Sequence, residues 1–181
     1  MNHINYIKEL KSIRNAYILL LISINIFNID ILPKWLAFII IYQNIKEIGK
    51  EEKSVYLIKN ITLSLIAYHF AIWLLNMVNV SISSYIVHVF FSILQLYVNY
   101  QLMTNIINIS VRHNSKYTNR LKRVRDILTI MFTISSFIEF IADNEIIQSM
   151  IMVYVIIYIL LSIKQIFDLS MYIIEEKDKS Y

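Results

Sequence analysis

The sequence predicts an all-α, polytopic integral membrane protein: six transmembrane helices arranged as three consecutive helical hairpins, in a single domain covering 1–181. Three observations predict it. The 181 residues are 57% hydrophobic and only 17% charged, whereas soluble domains carry roughly 45–50% apolar and about 25% charged residues. The apolar residues are gathered into six runs, and mean hydropathy is +0.57, so a bilayer suits them better than one overfilled core. Lys and Arg collect in every second connector, the asymmetry expected of cytoplasmic loops.

The first run, 16–32, follows MNHINYIKELKSIRN, a charged segment of the kind that precedes an export signal. No small-residue cleavage site follows, so it is expected to stay as a signal anchor. The second run, 34–48, starts behind Pro33, which suits a first helical turn because its missing N–H would lack a partner there. The third and fourth runs, 55–77 and 84–108, reach the roughly 20 residues a membrane helix needs. The fifth, 127–141, is short, as are the first two, which fit a full crossing or a re-entrant hairpin. The sixth, 146–168, is ample and contains MIMVYVIIYILLSI, too long and too lacking in period-two alternation for a barrel strand. Helices also satisfy their own backbone groups in lipid.

Tight connectors, IDILPKW, NVSISS and ADNE, join the runs in pairs. One face of the membrane then receives Lys8, Lys11, Arg14, Lys46, Lys50, Lys53, the basic cytoplasmic loop 109–126, Lys177 and Lys179. Only Lys34 falls on the other face, beside Asp30, Asp143 and Glu145. Both termini are therefore expected in the cytoplasm. Trp35, Trp73 and Tyr85 towards the outer boundary, with Tyr17, Tyr56 and Tyr172 towards the inner one, match the interfacial preference of amphipathic rings. Heavy use of Ile, Asn, Lys and Tyr, all with AT-rich codons, predicts a prokaryotic plasma membrane and a biased genome.

Several function classes are narrowed. With no cysteine, disulfides, thiolate metal sites and Cys nucleophiles are excluded. The lone glycine, Gly49, is expected in a cytoplasmic loop and the lone proline at a hairpin tip. No run then has the broken helices that transporters use, nor a GxxxG contact.

Four groups of residues stand out. Arg120, Lys122, Arg123 and Arg125, just cytoplasmic of the fifth run, suit anionic lipid headgroups, although topogenesis alone explains them. No nucleic-acid partner is expected at a net charge of +4 without a binding fold. Glu139 and Asp143 share one face near the end of the fifth run, and carboxylates in a span are ligand or ion candidates unless the helix ends first. Gln101, Asn105 and Asn108 advance with Arg112 along one face of the fourth run, as interhelical glue or as the wall of a polar cavity. His69 and His88 lie at similar depths on adjacent helices and suit a metal together with a carboxylate, without a recognised ligand spacing.

In size and Ile-rich, Gly-poor texture the chain is similar to membrane sensor modules of peptide-responsive histidine kinases. Bacteriocin immunity proteins and the capture subunits of vitamin transporters are of like size, and no motif selects among the three. The leading expectation is a non-enzymatic regulatory, immunity or sensing module that binds a peptide, lipid or protein partner without a cofactor. A small-solute binding or transport component is the alternative, and an intramembrane metal-dependent hydrolase the third reading.

Overall fold

A computed structural model describes residues 3–21, 25–26, 29–30, 33–78, 80, 85–141 and 145–179. The chain is helical, with α1 at His3–Leu21, α2 at Lys34–Glu51, α3 at Lys59–Met77, α4 at Tyr85–Arg112, α5 at Thr118–Ile141 and α6 at Glu145–Asp178. A 3-10 segment, Lys53–Ile58, leads into α3. Among the described residues the strand structure is a two-residue pair, β1 (Asn25–Ile26) against β2 (Ile29–Asp30), antiparallel with Asn25 opposite Asp30. Each helix packs on its neighbours in sequence, and α6 returns to α1, closing a ring of three hairpins.

Among the described residues three segments, not six, are long and apolar enough to cross a membrane: Lys53–Met77, Ile86–Arg112 and Ile156–Asp178. The other helices run into charge. Lys8, Glu9, Lys11 and Arg14 lie inside α1, Lys46, Glu47, Lys50 and Glu51 inside α2, and Arg120 to Asp126 inside α5.

Three boundaries differ from the sequence expectation. The run 16–32 is not one helix: α1 ends at Leu21. Asn25–Ile26 then pair with Ile29–Asp30 as short strands, where the β-branched Ile26 and Ile29 suit extended backbone. The expected loop 109–126 is mostly helix, because α4 continues to Arg112 and α5 begins at Thr118. Asn114 adopts a left-handed φ of 51°, which asparagine tolerates, and Ser115 Oγ accepts from Tyr117 N at 3.1 Å to start α5. Gly49 is not in a loop but buried in α2.

Burial divides the molecule into two halves. Towards the end that holds the 113–117 turn, the helices pack closely: Leu10, Ile13, Ile41, Ile45, Ile48, Leu102, Ile106, Leu121, Leu169 and Tyr172 are all buried. On α6 the buried positions Gln165, Asp168, Leu169, Tyr172, Ile173 and Glu176 follow the 3, 4 spacing of one helical stripe. In the other half many apolar side chains point outward, with Ile86 80% exposed, Leu160 and Ile130 60%, and Phe90 55%, while Ala37 and Phe38 stay buried. Such a belt is costly in water, at about 25 cal/mol per Å², and at home against lipid tails.

Candidate functional site

Above the packed layer, α1, α4, α5 and α6 stand apart around a cavity of about 90 Å³. A water occupies roughly 30 Å³ of liquid, so this space suits a few waters or one small solute. Tyr17, Leu20 and Leu21 come from α1, and Gln95, Asn99 and Met103 from α4, one turn apart on a single face. The stripe Arg125, Leu128 and Thr129 comes from α5, and Tyr158, Ser162 and Gln165 come from α6. The wall is therefore mixed: Leu20, Leu96, Met103, Leu128 and Ile166 make up much of it, and Gln95, Asn99, Arg125, Thr129, Ser162 and Gln165 bring polar groups into the middle of an apolar chain. Among the described residues its lining has no His, Asp, Glu or Lys.

Arg125 is the charged member, only 9% exposed. Its Nε and Nη2 donate to Asp126 Oδ1 at 2.9 and 2.6 Å, and Nη1 donates to Thr104 Oγ1 at 2.9 Å. The Tyr100 ring lies 4.7 Å from the guanidinium carbon, a cation–π contact. Tyr17 OH and Asn99 Oδ1 are buried at the wall without a hydrogen-bond partner. Asp168, one turn beyond Gln165, is 2% exposed and its Oδ2 also has no partner.

On the expected polar face of α4, Asn105 and Arg112 bond to a neighbouring element and do not line the cavity. Asn105 is fully buried, within 2.7 Å of Ser54 Oγ and 3.2 Å of Gln101 Nε2, so it ties α4 to the 3-10 segment. Arg112 extends this tie by pairing with the Glu52 carboxylate and donating to Glu51 O at 2.7 Å. Asn108 faces outward. These residues act as interhelical glue, and the cavity takes Gln95 and Asn99 from another face.

Glu139 falls within α5, but its side chain, like the whole of Asp143, lies outside the described residues. His69 and His88 flank Tyr68. The His88 Nδ1 is hydrogen-bonded to Tyr68 OH at 2.7 Å, while His69 stacks flat on Phe38 with ring centroids 5.3 Å apart. Among the described residues no three His, Asp or Glu side chains come together as metal ligands. Arg120, Lys122 and Arg123 are exposed on α5 as lipid contacts would be, whereas Arg125 turns inward.

A second polar cluster closes the packed end. Ser115 Oγ donates to Glu175 Oε2 at 2.5 Å, His113 Nδ1 lies 3.0 Å from Glu176 Oε2, and Lys179 Nζ reaches His113 O at 3.0 Å and Glu176 at 3.1 Å. The cluster fixes the end of α6 to the α4–α5 turn. Glu176 is fully buried there.

The Arg125 stripe was legible in principle: Arg125 is in register with Leu121 and Leu128, the apolar stripe of α5, and a polar residue on such a stripe points inward. Gln165 and Ser162 carry the same signal on α6. Compared with known proteins, the chain matches no family model, no curated protein and no solved structure.

Proposed function

We propose that this chain is a non-enzymatic module of a prokaryotic plasma membrane, with six crossing helices and both termini cytoplasmic, that binds a small polar solute inside its ring, as a sensing or capture component. The observation that carries the reading is the partly open cavity between α1, α4, α5 and α6, whose otherwise apolar lining carries a cluster of polar side chains and one guanidinium. Polar groups inside an apolar bundle are costly unless something polar meets them.

Six crossings are favoured by the way the ends meet. Lys179 and Glu175 of α6 bind the turn that follows α4, so α4 and α6 end on the same side. If both cross, α5 must cross between them. Trp35, at the start of α2, packs edge-on against Phe70 and Trp73 near the far end of α3, at 5.4 and 5.9 Å, and β2 also touches α3. The α1–α2 hairpin thus reaches as far as α3 does, which favours a full crossing over a re-entrant hairpin. Apart from Lys34 at the start of α2 and Glu139 near the end of α5, the charges within α1, α2 and α5 cluster at the packed end, where headgroups and water would receive them.

The cavity moves weight from a peptide or protein partner to a solute, since its volume suits neither a peptide nor a lipid chain. With no base beside a nucleophile in its lining, binding is favoured over catalysis. The test is a thermal-unfolding screen of the protein in lipid nanodiscs against small polar metabolites. Specific hits on the native chain that vanish in Gln165→Leu support solute binding. Hits restricted to lipids or peptides, unaffected by that substitution, would contradict it.

A further inference from the structure

We infer that the solute held in this cavity is a small organic anion, a carboxylate of two or three carbons carrying one hydrogen-bond-donating group; the inference rests on the solute-binding reading above. Arg125 supplies the charge. A guanidinium stays protonated and has five N–H donors, of which the bonds to Asp126 and Thr104 use three. The side chain is 9% exposed and borders the cavity. Its partner Asp126 has a side chain 45% exposed, so water screens that carboxylate, and among the described residues no acid lines the cavity itself. The interior therefore favours negative charge.

Two unpartnered atoms refine the class. Tyr17 OH is a buried donor in need of an acceptor and Asn99 Oδ1 a buried acceptor in need of a donor; both belong to lining side chains but are covered, and each meets a solute only when its side chain turns toward the space. Each is costly to leave bare. A carboxylate answers Arg125 and Tyr17, and a hydroxyl or amine beside it answers Asn99. The buried Asp168 does not border the cavity. At about 90 Å³ the space admits only a few heavy atoms, whereas drug-sized ligands occupy roughly 300 Å³ or more.

The probe is radiolabelled glycolate, with glycolamide as its uncharged isostere, on the full chain in nanodiscs. Saturable glycolate binding is expected, with glycolamide at least about tenfold weaker. Asn99→Leu and Arg125→Gln should each weaken glycolate about tenfold at unchanged helicity, with partial recovery in Arg125→Lys. If Arg125→Gln fails to fold, Asn99→Leu and the glycolate–glycolamide ratio on the native chain still decide. Equal binding of the two probes, or binding unaltered in Asn99→Leu, overturns the anion assignment and leaves solute binding standing. Saturable binding of neither overturns both.

Discussion

Ser54 Oγ lies 2.7 Å from Asn105 Oδ1 and 2.8 Å from Glu52 Oε1. One hydroxyl proton cannot serve both acceptors. Meanwhile Asn105 Nδ2 is buried with no partner. Turning the Asn105 amide end for end, with the Gln101 amide turned likewise so that its oxygen accepts, resolves the first problem: the Asn105 NH₂ then donates to Ser54, whose proton goes to Glu52, and the amide oxygen becomes the buried atom without a partner.

That orientation makes a sharp prediction. Asn105→Asp, which cannot donate when ionised, should destabilise the protein by about 2 kcal/mol or more, and Ser54→Ala by about 1 kcal/mol. A double-mutant cycle on Ser54 and Asn105, read by unfolding in mixed micelles, should give a coupling of about 0.6 kcal/mol. If Asn105→Asp is as stable as the native chain, the amide accepts instead.

Gly49 tests local packing. A Cβ placed there would run into the Tyr56 ring, yet Tyr56 is 45% exposed and tethered by one bond to Lys46 O at 3.3 Å. The ring can swing away, and alanine gains about 1 kcal/mol of helix propensity over glycine. Gly49→Ala should therefore lie within about 1 kcal/mol of the native stability. The bulkier Gly49→Leu should lose more, in the same unfolding assay.

The cluster at the packed end should behave as a clamp. Glu176→Ala removes a fully buried carboxylate facing His113 and Lys179, and should cost about 3 kcal/mol. Glu176→Gln should cost less, because it still fills the site. Partial burial lowers the Lys179 pKa, but Glu176 and Glu175 outweigh this and hold it above its ordinary value. Its contribution is then complete below the usual lysine value of 10.5 and fades as pH rises through the raised one. Lys179→Met should flatten that alkaline limb of a stability–pH curve.

The exposed cations of α5 should meet headgroups. Replacing Arg120, Lys122 and Arg123 together by Gln should reduce co-purified anionic lipid in native mass spectrometry, and should leave the fold intact. Arg125→Gln, by contrast, should leave lipid content unchanged, since its guanidinium turns into the bundle.

Much of this architecture could be read from the chain. The apolar runs announced the six helices and their pairing, because each hairpin turn interrupts hydrophobicity. Helix ends were less legible: α1 starts well before its apolar run and α5 carries its cations within the helix, because charged residues form helix readily once outside lipid. The strand pair of Asn25–Ile26 with Ile29–Asp30 was masked by high mean hydropathy. The face of α4 that turns inward was not legible, since Gln95, Asn99 and Gln101, Asn105 form two polar stripes. Only the curvature of the ring decides that the first meets the cavity and the second meets Ser54.

The central claim is a ring of helices crossing a bilayer with its packed, charged end in the cytoplasm. The absence of native cysteine permits a clean test by single-cysteine labelling with a membrane-impermeant maleimide. Val80→Cys should label in intact cells, Lys122→Cys and Lys177→Cys only after lysis, and Leu160→Cys in neither. Labelling of Lys122→Cys in intact cells, or of Leu160→Cys under any aqueous condition, would contradict the account.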